Sequence, residues 1–160
     1  MSANGSRQQH WTPNEPLGIA LTELAISGRR VLELGAGSGS LTRALLNAGA
    51  ASIEAWEIDE AILPVSDDRV VWRLRDIGLV GAADVEGRLL AAIPPYSMLG
   101  LIESLVDASR LTDALLMIPA KKIGRFVSLG FRVVSVFDGS VFDPPAAGRH
   151  LLIAKGLRVF

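Results

Sequence analysis

No cysteine occurs among the 160 residues. That absence removes disulfide frameworks, zinc–cysteine sites, iron–sulfur clusters and thiol nucleophiles together. Histidine is also scarce, and no two lie close enough in sequence to suggest a metal site. No apolar run approaches the roughly 20 residues needed to cross a bilayer. The first ten residues contain no apolar stretch of the kind that marks a secretory signal, so a cytoplasmic location is expected. Net charge is only −1, which excludes a uniformly basic, histone-like mode of binding. With 49% hydrophobic and 21% charged residues the chain is neither disordered nor collagen-like. Its length fits one domain over residues 1–160, with residues 1–12 a partly flexible leading segment.

The charge that is present is unevenly placed. Residues 1–120 carry 9 basic and 15 acidic side chains, whereas residues 121–160 carry 7 basic and 2 acidic. Such asymmetry marks either a face that meets a polyanion or ordinary solvated lysines and arginines. Strand-like and helix-like segments alternate along the chain. Leu17, Ala20, Leu21, Leu24 and Ala25 recur at helical spacing up to Gly28, and Leu41, Ala44, Leu45 and Ala48 do so up to Gly49. Residues 97–109 form another helix. Strands are expected at 30–34, 52–57, 70–74, 89–93 and 114–118, with a closing pair at 131–137 and 151–155. This order implies an α/β fold: a doubly wound, Rossmann-like, mainly parallel sheet of about seven strands with an antiparallel hairpin at its C-terminal end. The connection from 138 to 149 then falls at the carboxyl edge, where open α/β sheets bind ligands.

The most informative stretch is Val31-Leu-Glu-Leu-Gly-Ala-Gly-Ser-Gly39. Glycines between a strand and a helix let the backbone turn tightly and approach a ligand. Ser40 stands where the dinucleotide fingerprint wants its last glycine or alanine. Carboxylates surround the turn: Glu33 before it, Glu57 and Asp59 after the second strand, Asp76 after the third. A pyrophosphate carries about two negative charges, and at ~4 Å each like-charge contact costs on the order of 1–4 kcal/mol. S-adenosylmethionine has no phosphate and carries a sulfonium and an amino group. Glu33 suits the amino group, Glu57 the ribose hydroxyls and Asp76 the adenine amine. Charge therefore favours the sulfonium cofactor over NAD, bound by Gly35, Gly37 and Gly39 with these acids and with their neighbours Ile58 and Ile77.

In Leu32-Glu-Leu-Gly-Ala-Gly-Ser-Gly39, Trp56-Glu-Ile-Asp59 and Arg75-Asp76 the chain resembles the class I S-adenosylmethionine-dependent methyltransferases. Ile93-Pro-Pro-Tyr96 resembles the Asn/Asp/Ser-Pro-Pro-Tyr motif of their amino-methylating branch, the N6-adenine DNA/RNA group. Gln9-His-Trp-Thr-Pro13 is similar to an element before the first helix of those enzymes, where the threonine contacts the cofactor; Thr12 is equally suited to capping that helix. The resemblance implies methyl transfer to an amino nitrogen of a nucleic-acid base. The motif's first residue and a proline-segment carbonyl accept the amine's hydrogens, and the aromatic ring stacks on the flipped base. Pro94, Pro95 and Tyr96 would fill those roles here.

Position 93 departs from the pattern. Isoleucine cannot accept a hydrogen bond, and losing one acceptor at a buried amine costs about 1–3 kcal/mol. Three readings follow: an acceptor from Ser97 or the 138–149 loop restores base methylation, a different group (a small molecule or protein amide) is methylated, or the chain is a catalytically degenerate cofactor-binding subunit or sensor. There is no room for a separate recognition region, so target selection falls to residues 121–128, the 138–149 loop or a partner protein. Lys121, Lys122 and Arg149 are the candidate phosphate contacts. His150 is as suited to packing as to function.

Overall fold

The computed structural model describes residues 10–11, 14–37, 39–59, 66–94, 96–108, 113–143 and 148–157. In chain order they form β1 (His10–Trp11), α1 (Asn14–Leu21), β2 (Arg30–Leu34), α2 (Ser40–Asn47), β3 (Ser52–Glu57), β4 (Val70–Leu74) and α3 (Ala82–Val85). There follow β5 (Leu89–Ala92), α4 (Leu99–Ala108), β6 (Ala114–Pro119), α5 (Ile123–Ser128), β7 (Arg132–Asp138), β8 (Phe142–Asp143) and β9 (Arg149–Lys155). Seven strands make one sheet in the order β4-β3-β2-β5-β6-β9-β7. β4, β3, β2, β5 and β6 run parallel, and β9 is antiparallel to both β6 and β7. The expected doubly wound sheet with its antiparallel C-terminal hairpin is what the chain forms.

Period-two alternation divides the sheet's side chains between two cores. Val31, Ile53, Ala55, Leu89, Ala91, Leu115 and Met117 pack on one face with Leu17 and Leu21 of α1 and Leu41 and Leu45 of α2. Leu32, Leu34, Trp56, Leu90, Leu116 and Ile153 pack on the other with Leu99, Ile102 and Val106 of α4 and Phe126 of α5. β5 and β6 lie mid-sheet and are buried along their whole length. The edge strands β4 and β7 instead leave Val71, Leu74, Val133 and Val136 exposed. A bulge between Val133 and Ser135 brings Val133 opposite Ile153 and Val136 opposite Leu151, so both valines share one face despite their odd spacing.

Five elements differ from expectation. The first helix ends at Leu21 rather than running on to Gly28. Its chain turns at Thr22, whose hydroxyl donates to the Ile19 carbonyl at 2.6 Å, and the next amides bond three residues back in a tightening turn. Leu24 is nonetheless buried. α3 and α5 carry too few residues to show a period. β1 and β8, two residues each, pair antiparallel and tie the segment before α1 to the connection after β7. Among the described residues, no helix is long and apolar enough to cross a membrane.

Phe126 is fully buried and meets Phe131 edge-to-face at 5.6 Å and 86°. Phe126→Ala is expected to lower the unfolding free energy by about 3–5 kcal/mol in a urea titration. A loss below about 1 kcal/mol would show that α5 does not depend on this anchor.

Candidate active site

The carboxyl edge of the sheet gathers the candidate residues. β2 ends at Leu34 and the chain turns through Gly35, Gly37 and Gly39 at φ 68°, 56° and 89°. L side chains rarely adopt these angles, which is why glycine recurs here. The Trp56 carbonyl accepts from both the Gly35 and Ala36 N–H groups, at 2.9 and 3.1 Å. α2 then starts directly from Gly39.

Glu57 holds this turn to the next strand. Its Oε1 accepts from the Gly37 N–H at 2.8 Å, and its Oε2 accepts from the N–H groups of Ile58 and Asp59, each at 3.1 Å. A carboxylate has about four lone-pair sites, so a further donor can still be taken. Asp76 is exposed and caps the 3-10 turn that follows β4, its Oδ1 accepting from the Gly78 N–H at 2.8 Å.

Glu33 stands at the carboxyl end of β2, two residues before Gly35, but is buried rather than open to the edge. It is 1% exposed, beneath the glycine turn, and accepts from the Thr42 hydroxyl at 2.5 Å. Burial pushes its carboxyl up to about 7; the Thr42 hydrogen bond opposes the rise and the neighbouring Glu57 adds to it. Thr42, itself fully buried, was missed from sequence, because a threonine in a helix's first turn looks like any other helical residue. The adenine-side residues also separate. Ile77 is 8% exposed and belongs to the core, whereas Ile58 is 59% exposed after β3.

β5 leads into the Pro-Pro-Tyr segment. Ile93 is half-buried and packs against the α1/α2 core, and Pro94 is buried. Tyr96 opens a 3-10 turn that runs into α4. Thr12 and Pro95 lie outside the described residues. Lys121 and Lys122 are exposed on the 3-10 turn leaving β6. The register sets His150 opposite Pro119 and Arg149 opposite Asp138, so Arg149 reaches the same edge beside a carboxylate. His150 is buried, which lowers its pKa.

The molecule has a seven-stranded sheet with one reversed strand next to its edge, an acid-flanked glycine turn after the first sheet strand, and a Pro-Pro-Tyr segment after the fourth. Solved structures share this fold. The 23S rRNA methyltransferase ErmE superposes with a TM-score of 0.72 at 15% identity, over 94% of this chain and 70% of its own. A dimethyladenosine transferase from Plasmodium falciparum gives 0.76 at 17% identity, over 93% and 64%. This is the class I S-adenosylmethionine-dependent methyltransferase fold. Among curated proteins, the ribosomal RNA small subunit methyltransferase A of Thermotoga petrophila is 35% identical over 99 residues, 59% of this chain. The ribosomal protein L11 methyltransferase of Deinococcus radiodurans is 37% identical over 81 residues, 51% of this chain. The matched stretches span only 37% and 28% of those two relatives. No family model matches the chain.

This methyltransferase fold and its relatives imply S-adenosylmethionine as the cofactor. The residues present fit it. Two acids serve the turn, the buried Glu33 and Glu57, and among the described residues no cation acts on Glu33, so a cationic ligand, which lets Glu33 ionise, suits the site better than a pyrophosphate.

Glu33 also sets a pH dependence. Its folded pKa, about 7, lies above the ordinary 4.5, so the folded state holds a proton that the unfolded chain has released between these values. Stability is therefore full below about pH 4.5 and falls as pH rises to about 7, by ~3 kcal/mol in total. Glu33→Gln keeps an acceptor for Thr42 and removes the charge. The variant should lack this loss, so that its advantage over wild type grows by about 3 kcal/mol from pH 4.5 to pH 8 in urea titrations. Parallel stability curves for the two proteins would contradict the assignment.

Proposed function

We propose that this chain is an S-adenosylmethionine-dependent methyltransferase acting on an amino nitrogen of an RNA base, the N6 amine of adenine. The acid-lined glycine turn carries the reading: Glu33 beneath it and Glu57 across it favour a cationic, phosphate-free cofactor. RNA is preferred to DNA because the ErmE and small-subunit relatives are RNA methyltransferases by name.

S-adenosylmethionine, when bound, supplies an electrophilic methyl group on a positively charged sulfur. The chain's residues do the rest by placement. Gly35, Gly37 and Gly39 let the backbone approach the cofactor, Glu57 accepts from its ribose hydroxyls and Asp76 from its adenine amine, with Ile58 against the ring. Thr12 contacts its carboxylate end. Pro94 offers a carbonyl to one hydrogen of the acceptor amine, and Tyr96 stacks on the base. No strong base is needed, because the departing thioether is neutral. Lys121, Lys122 and Arg149 meet RNA phosphates along the same edge, where target choice also falls to the 138–149 connection or a partner protein.

A second reading has its own observation. Ile93 packs into the α1/α2 core and offers no acceptor where the amino-methylating motif has one. That favours a cofactor-binding subunit that transfers no methyl group, or a different acceptor such as a protein amide. Transfer of tritiated methyl from S-adenosylmethionine to ribosomal RNA, DNA and protein fractions separates these readings. Label in RNA, located at adenine, is the expected result; label in protein or in nothing would overturn it. If Ile93→Asn creates adenine methylation where the native chain has none, the subunit reading is correct.

RNA contact is tested through salt. The double substitution Lys121→Ala, Lys122→Ala should weaken RNA binding at low salt and flatten its log–log salt slope by about 1–2. An unchanged slope would place the RNA elsewhere.

A further inference from the structure

The structure assigns to Thr42 a positioning role: its hydroxyl holds the Glu33 carboxyl beneath the glycine turn, so that the acid presents its charge to the cationic part of the cofactor. This rests on the S-adenosylmethionine reading and adds to it a residue outside the glycine turn, the acids and the Pro-Pro-Tyr segment.

The geometry confines Glu33 closely. It sits on β2 between Leu32 and Leu34, which turn to the opposite core. On its own face its register neighbour on β5 is Ala91 and on β3 is Ala55, neither able to hydrogen bond through a side chain. α2 supplies Thr42, fully buried, with its Oγ1 2.5 Å from Glu33 Oε1. Among the described residues the charged group that acts on Glu33 is Glu57 of β3, of like sign; Arg43, the next residue of α2, is exposed. The apolar neighbours supply shape and the second acid supplies repulsion, so orientation falls to the threonine.

A hydroxyl is suited to this place because it serves both forms of its partner. It donates to the carboxylate and, by rotating, accepts from the carboxylic acid. Glu33 can therefore lose its proton when a cation arrives and regain it when the cation leaves, without losing its hydrogen bond. Valine matches threonine in shape but does neither, and serine keeps the hydroxyl.

Thr42→Val and Thr42→Ser, each in the full chain, test this with two readouts. The first is stability against pH without cofactor. Removing the bond should move the Glu33-dependent midpoint upward by about one pH unit in Thr42→Val and leave it in place in Thr42→Ser. The second is S-adenosylmethionine affinity at pH 7, about tenfold weaker for Thr42→Val, nearly wild-type for Thr42→Ser, and recovered by Thr42→Val at higher pH. Should the valine variant not fold, Thr42→Ala takes its place in both measurements. An unmoved midpoint together with unchanged affinity overturns the role of Thr42 and leaves the cofactor reading standing. A wild-type protein that takes up no S-adenosylmethionine at any pH, with the midpoint still shifting in Thr42→Val, overturns the cofactor reading, and this role with it.

Discussion

One carboxylate carries the geometry of the candidate site. Glu57 accepts from Gly37 across the turn and from Ile58 and Asp59 at the end of its own strand. Two adjacent parallel strands are thereby joined at the level where their loops diverge. Charge-assisted bonds to backbone amides are among the stronger hydrogen bonds in proteins, and at 8% exposure this one is shielded from competing water. The glycine angles after β2 depend on it from one side and on the Trp56 carbonyl from the other. Both partners come from β3, so the register between β2 and β3 also shapes the turn.

That clamp concentrates negative charge at the point where a dinucleotide fold would receive phosphate. Glu33 lies below the turn and Glu57 beside it, and the protein meets part of the electrostatic cost by keeping Glu33 protonated well above the usual carboxylate range. An acid held neutral by burial and a like-charged neighbour can ionise when a cation arrives, which favours a cationic ligand. The opposite face of the sheet pairs its charges differently. There Glu54 accepts from the Trp56 indole at 2.7 Å and from Arg88 at 3.0 Å, while Arg75 lies 4.3 Å over the Trp56 ring. Alternation along a single strand, β3, thus places a satisfied acid on one face and the site's acid on the other.

Much of this was legible in the sequence, for physical reasons that differ by element. β2, β3 and β4 have the limits read from the chain, because short apolar runs there end in glycine or in strand-end acids. The closing hairpin and the edge reached by the 138–149 connection also followed from element order alone. The end of α1 did not: Leu24 continues the helical period and is buried, but it is reached through a turn made by the Thr22 side chain, and periodicity records burial rather than backbone path. β1 and β8 pair across more than 130 residues, and two-residue strands leave no pattern. In the site, the types of the acids were readable but not their depths. Glu33 and Glu57 differ by where the neighbouring helix sits, which is why Thr42 went unnoticed and why Ile77 proved to be a core residue.

The function of this site depends on whether the glycine turn takes a cationic cofactor in preference to a phosphate-bearing one. Isothermal titration of the full chain with S-adenosylmethionine and, separately, with NAD measures this directly. We expect saturable, one-to-one binding of S-adenosylmethionine and no heat from NAD at equal concentration. Binding of NAD with silence from S-adenosylmethionine would contradict the assignment of the acids, and with it the function built upon them.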